Sequence, residues 1–294
     1  MRRFLLAVVL AGCELSPPPA PDAVARLVER PTEARASEAA CVVVPEVEAL
    51  VATERAANPE AFAAFDRIVR RWLDARSPGR DQALLSRWLR DLGKAGAGPM
   101  IDLLAVSGFA EPLHVTARAS LQTAVTEALA RLDDARSAPV LRALFERADA
   151  APVRAAAARG LARACREADL SLLLTHAAHA DPLVDAASAG LGRCLRLPAA
   201  ERLAALLDAA PNADRAAGIA TALGVLASDL VWRAPSRRDD PEGEKIRTLA
   251  AESLARARVR FPGVHEIDRS IRMIRHPRMA ELLEPLGHLP PTQL

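Results

Sequence analysis

A four-residue pattern recurs through the middle of this chain at a nearly fixed interval. Ala128-Leu129-Ala130-Arg131, Gly160-Leu161-Ala162-Arg163, Gly190-Leu191-Gly192-Arg193 and Ala222-Leu223-Gly224-Val225 each read small, Leu, small, and three of the four end in Arg. Their first residues are 32, 30 and 32 positions apart. Each closes a segment entered from a turn, as in Ala151-Pro152-Val153-Arg154 and Asp181-Pro182-Leu183-Val184. Shorter Leu-rich stretches lie between them, over 139–148, 169–178 and 199–209. A period near 30 with two helical segments per unit predicts stacked helix pairs, because one pair alone cannot bury its leucine stripe. The small residues let the second helix of a unit approach its partner closely.

Composition points the same way. Hydrophobic residues make up 51% of the 294, but aromatics only 3%, and tyrosine is absent. Alanine and leucine carry the apolar fraction, and alanine is the strongest helix former while the strand-enriched aromatics are scarce. The expected fold class is therefore all-α. Ahead of the repeats, Asn58-Pro59-Glu60 reads as a helix start with Asn as N-cap and Pro at the first helical position. Phe62, Phe65, Val69 and Trp72 then recur at helical spacing, as do Leu84, Leu85, Trp88, Leu89 and Leu92 before Gly93, and Pro99 opens a shorter helix.

The stretch Pro152-Val153-Arg154-Ala155-Ala156-Ala157-Ala158-Arg159-Gly160-Leu161 resembles a HEAT repeat of the short type, about 30 residues long. The resemblance covers roughly 110–232 and implies an α-α superhelix, a HEAT- or armadillo-like solenoid. Most proteins with such repeats are scaffolds, and some attach bilin pigments. A fifth match, Ser253-Leu254-Ala255-Arg256, has no full first helix before it, since 233–241 is rich in charge and proline. It is a helix without a partner or a chance match. The end of the chain, 267–286, reads as a further helix pair broken at Pro277, so 242–294 forms an atypical cap before Pro290-Pro291.

The N-terminus has its own signature. Met1-Arg2-Arg3 precedes an apolar run, Phe4 to Leu10, and small residues follow. This is the secretory-signal pattern, and the run is too short to cross a bilayer. Leu10-Ala11-Gly12-Cys13 closely resembles the lipobox of bacterial lipoproteins. The resemblance implies cleavage before Cys13 and acylation of Cys13 with chains such as palmitate. Residue 14 is Glu, not the Asp that this family uses for inner-membrane retention, which implies the periplasmic face of the outer membrane. A proline-rich tether follows, Pro17-Pro18-Pro19-Ala20-Pro21, extended because proline fixes φ. The expected organisation is signal peptide 1–12, tether 13–40 and helical solenoid 41–294.

Cleavage also corrects the charge. The whole chain carries +2 from 39 basic and 37 acidic residues, and loss of Arg2 and Arg3 leaves 37 of each. A neutral chain argues against a nucleic-acid partner, which demands basic excess. Only Lys94 and Lys245 are lysine, a bias read as compositional.

Beyond Cys13 there are three cysteines, Cys41, Cys165 and Cys194. The last two occupy similar places in adjacent repeats and are a candidate disulfide, with separate buried thiols as the alternative. Cys41 is left over. His176 and His179 stand at i, i+3 with Asp181 nearby, but no third ligand completes a metal motif, and surface histidines are the simpler reading. No nucleophile-elbow or phosphate-loop pattern occurs. The charged segment 233–245 reads as a solvated loop, with a partner-binding insert as the functional alternative. Arg269, Arg272, Arg275 and Arg278 read as a basic strip on the last helices, with a solvated face as the simpler reading and a site for anionic lipid or glycan as the functional alternative. No catalytic residue, cofactor or metal site is assigned. The expected function is a lipid-anchored, non-catalytic scaffold binding a protein partner. The alternatives are a structural subunit of an envelope complex, or an enzyme or small-ligand binder: pigment-lyase-like, or with a metal near His176/His179.

Overall fold

The computed structural model describes residue 42 and residues 44–74, 82–108, 113, 115–234, 237, 240–277 and 281–282. The lipobox, Cys13, the tether, Cys41 and Arg278 lie outside these. Among the described residues there is no strand, and the protein is all-α.

Four helices precede the repeats: α1 (Glu48–Ala57), α2 (Pro59–Asp74), α3 (Gln82–Asp91) and α4 (Ala97–Ala105). The repeat region contains α5 (Val115–Arg131), α6 (Ala138–Arg147), α7 (Ala151–Ala164), α8 (Glu167–His176), α9 (Val184–Leu191), α10 (Leu197–Asp208) and α11 (Ala213–Leu226). One further turn, α12 (Asp229–Trp232), leads to α13 (Pro241–Arg260) and α14 (His265–Ile274). Proline occupies the first turn of α6, α7, α10 and α13, where its missing N–H costs nothing. Asn212 and Asp240 cap α11 and α13, accepting from the N–H groups of Arg215 at 2.9 Å and Glu242 at 3.0 Å. Asn58 departs from its expected role: its side chain donates to Glu54 at 3.2 Å.

The helices pack in two rows. The front row runs α3, α5, α7, α9, α11, α14, each against the next. Behind it, α6 packs on α7, α8 on α9, α10 on α11, and α13 on both α10 and α14. One continuous apolar cluster fills the space between the rows, from Val42 to Ile274, with Phe65, Trp72, Leu85 and Leu89 buried at its N-terminal end.

The repeated small residues do their work within the front row. A β-carbon on Gly160 would stand 2.6 Å from that of Ala130; one on Gly190, 2.9 Å from the Ala158 carbonyl; one on Gly192, 2.7 Å from the Ala222 carbonyl. The close approach is therefore between second helices of successive units, more than between the two helices of one unit. On α11 a β-carbon on Gly224, the place equivalent to Gly192, would stand 2.6 Å from Ser270 Cβ of α14.

That last contact explains the fifth motif match. Ser253-Leu254-Ala255-Arg256 lies on α13, in the back row, and α14 takes the front-row place against α11. The match is one of letters; Ser270, not Ser253, plays the small residue of the seam. Within the cap, α14 begins two residues before the expected 267, at His265, and is closed by Arg275, whose φ of 47° is left-handed; Pro277, Glu281 and Leu282 are helical again beyond that break. The charged segment is shorter than it reads, because Pro241 to Lys245 already belong to α13.

Candidate binding groove

Where the fourth place of the repeat is Arg, it falls at or just beyond the end of its front-row helix. Arg131 is the last residue of α5, Arg163 lies one before the end of α7, and Arg193 lies two beyond α9. A cation there is favoured by the helix dipole and by unpaired terminal carbonyls. Each arginine is thus locally reasonable. Stacking turns a local preference into a surface: Arg131, Arg163 and Arg193 line one recess of about 680 Å³, together with Arg90 of α3 and Arg159 of α7. Glu127, Ala156, Leu132 and Leu195 complete much of its lining. A second recess of about 570 Å³ shares Arg163 and Arg193 and extends to Arg196, Arg237, Asp240 and Glu242.

Pairing is uneven along this groove. Arg159 donates from Nη2 to Glu127 Oε1 at 3.1 Å, Arg90 from Nε to the Ser86 carbonyl at 3.2 Å, and Arg196 lies 3.7 Å from Glu167. Among the described residues, no carboxylate pairs with Arg131, Arg163 or Arg193. Arg193 keeps solvent-exposed surface, yet it is recessed enough for desolvation to matter. Burial first, then the charges of Arg159, Arg131 and Arg163, holds its guanidinium below the ordinary arginine range. It remains protonated at neutral pH, so the fold holds like charges together.

The charged segment borders the same groove. Trp232 is buried and donates from Nε1 to the Leu226 carbonyl at 2.8 Å. Arg237 lies over the Trp232 ring, 5.7 Å from its centroid. Arg237 is thereby held beside Arg193 and Arg196 in the lining of the second recess.

Cys165 and Cys194 are brought together by the seam between α7 and α9, with Cα atoms 5.4 Å apart and sulfurs in bonding contact. That separation is inside the range a disulfide requires. Cys165 ends α7 in the left-handed region, φ 41°, a place where glycine is usual, and it lines the second recess.

The histidines do not converge. His176 is the last residue of α8, and His179 lies beyond the helix and is exposed. His176 Nδ1 lies 2.9 Å from Asp181 Oδ2, and Asp181 Oδ1 accepts from the Leu183 N–H at 2.7 Å. Burial pushes the Asp181 carboxyl up, but the Leu183 N–H and His176 outweigh it and hold it low. The pair closes the turn into α9. Among the described residues no group of three metal-ligating side chains occurs. Arg269, Arg272 and Arg275 share a separate recess of about 450 Å³ beside Asp229 and the exposed Leu230. Among the described residues one stretch, Ala213–Trp232, is long and apolar enough to cross a membrane, and 61% of its apolar 18-residue window is buried in the fold.

No protein-family model, curated protein or solved structure matches the chain. The groove arginines were legible in the sequence only as the fourth letter of the repeat. Their convergence depends on which helices stack, and the overall neutrality of the chain masks it.

Proposed function

We propose that this chain is a bacterial envelope lipoprotein whose HEAT-like α-solenoid is a non-catalytic, protein-binding scaffold. In this reading residues 1–12 are removed, Cys13 carries the acyl chains, and residues 13–40 tether the helical part to the periplasmic face of the outer membrane. More than one acyl chain gives stable anchoring, which leaves the helical surface free for a partner. The observation that supports binding is the groove: guanidinium groups without a paired carboxylate, from the ends of two successive front-row helices and from the chain just beyond a third, line one recess. A fold that keeps such charges together without counter-charges is suited to a partner that supplies them.

The test uses the full-length protein in cells. A photoreactive residue in place of the groove-lining Ala164 is expected to give one discrete protein adduct, and one in place of Glu201 on the back-row α10 is expected to give none. No adduct at Ala164, or the same adducts at both positions, overturns the scaffold reading. For the anchor, Cys13→Ser is expected to move the protein from the membrane to the soluble fraction. A Cys13→Ser protein that still partitions into detergent with a lipid mass overturns lipidation.

A further inference from the structure

The repeat spacing, the charge of the groove and its mixed lining identify the kind of partner. We infer that the groove takes an extended acidic segment of a polypeptide, whose carboxylates pair with Arg131, Arg163 and Arg193; this rests on the scaffold reading and specifies its partner.

Three observations carry the inference. The first is the register. Three successive repeats bring Arg131, Arg163 and Arg193 to the groove from the fourth place of the motif, and packed helices lie about 8–10 Å apart. A polyproline-II chain has three residues per turn and rises about 3.1 Å per residue, so every third side chain returns to one face after about 9 Å. A segment with Asp or Glu at every third position therefore presents carboxylates at about the interval at which packed helices follow one another. Guanidinium and carboxylate match as bidentate partners.

The second is the lining. Leu132, Leu195 and Ala156 lie between the arginines, and Glu127 is among them. Asp240 and Glu242 border the far end. An unbroken polyphosphate would meet these carboxylates as repulsion. A polypeptide can set apolar or basic side chains against them and acidic ones against the arginines. The third is the shape. The arginines line recesses between helix ends, and Arg163 and Arg193 belong to both recesses. A flat bilayer surface does not enter a recess, whereas a single extended chain does.

Electrostatic pairing of this kind sets association rate and salt dependence. The probe is fluorescein-labelled decaglutamate, titrated by anisotropy into the full-length lipoprotein in a nonionic detergent at low and moderate salt. Saturable binding that weakens with salt is expected. Arg163→Gln combined with Arg193→Gln is expected to weaken it at least tenfold, and Arg202→Gln on the back-row α10 to change it less than twofold. Should the double variant lose its helical circular dichroism, Arg131→Gln alone serves and is expected to cost threefold or more. Glycerophosphate, inorganic phosphate and a ten-base oligothymidylate are the competitors, and each is expected to displace decaglutamate only at far higher concentration. The inference is overturned if decaglutamate does not saturate, if Arg202→Gln weakens it as much as the double variant, or if oligothymidylate binds more tightly. It is overturned alone, with the scaffold reading intact, if decaglutamate fails while the Ala164 photoadduct still forms. Failure of both removes both.

Discussion

Gly160 of α7 sits so close to Ala130 of α5 that a methyl group added to it would stand 2.6 Å from the Ala130 Cβ and 3.0 Å from Leu141 Cδ1. Both helices must shift to admit that methyl, and the front row carries the groove. Replacing a glycine inside a helix by alanine ordinarily stabilises by about 0.5–1 kcal/mol. At Gly160 the sign is expected to reverse, with Gly160→Ala costing about 1–3 kcal/mol through overpacking. Gly218 on α11 is the internal control, because nothing lies within 4 Å of its added β-carbon. Gly218→Ala is expected to gain the ordinary half to one kcal/mol. Urea midpoints of the two variants decide it; a loss at both positions, or a gain at both, contradicts the seam.

The α7–α9 seam also sets Cys165 against Cys194, which lie 29 positions apart in the sequence. A bridge closing a loop of that size restricts the unfolded chain enough to contribute about 3–4 kcal/mol. The left-handed backbone at Cys165 carries a cost of about 1–2 kcal/mol for a residue other than glycine, which a bridge would offset. Free-thiol titration of the unfolded, non-reduced protein is expected to find neither of these two thiols, and reduction to lower the thermal midpoint. Cys165→Gly keeps the turn and loses the bridge, so it is expected to be less destabilised than Cys165→Ser. Two free thiols at these positions would show that the sulfurs are neighbours and nothing more.

Acid sensitivity should centre on Asp134. Its carboxylate accepts from the backbone and side chain of Arg136, which also reaches Glu54 and so ties the start of α6 to α1. The side-chain hydrogen bond from Arg136 is the largest influence on Asp134 and outweighs burial, holding the carboxyl below its ordinary range. A depressed folded-state value means that the stabilisation is complete above the unfolded carboxylate range, near pH 4. It is lost as pH falls through the lower folded value. Asp134→Asn is therefore expected to cost about 1–2 kcal/mol at pH 7, for a capping carboxylate with a charged partner. The gap to the parent protein should narrow as pH falls below the unfolded carboxylate range, near pH 4. A gap that stays constant as the pH is lowered through and below that range would mean the carboxylate's charge is not what matters.

The period of the repeat, the proline starts and the leucine stripes were sufficient to read the helix pairs, because each is a local signal that packing leaves unchanged. Phe62, Phe65 and Trp72 turned inward as their spacing required. What could not be read was anything that depends on which helix meets which. Ser253 matched the motif and lies in the back row, while Ser270, which matches nothing, fills the seam against Gly224. His176 and His179 looked like neighbours on a helix face until α8 ended at His176. The arginine groove escaped for a third reason. Its residues come from helices α3, α5 and α7 and from the chain just beyond α9, and net charge averages such a surface with the acidic rest.

Arg193 ties the groove to the stability of the fold. Its guanidinium is partly desolvated and faces Arg159, Arg131 and Arg163; Arg159 is paired with Glu127, but no carboxylate among the described residues pairs with Arg131, Arg163 or Arg193. The folded protein alone therefore bears a repulsion that the unfolded chain, with these groups far apart, does not. Arg193→Gln is expected to raise the unfolding midpoint of the free protein at low salt, by a few tenths to about 1 kcal/mol on the scale of exposed charge pairs. Added sodium chloride screens the same repulsion, so the difference should shrink as ionic strength rises. An anion that occupies the groove stabilises only the folded state and should stabilise the parent protein more than the variant. Thermal scans with and without decaglutamate, at two salt concentrations, separate these effects. The expected pattern is a variant that is more stable alone and less stabilised by the peptide, which is how a residue kept for binding at the expense of the fold behaves. An Arg193→Gln protein less stable than the parent at low salt would instead assign that arginine to the fold itself.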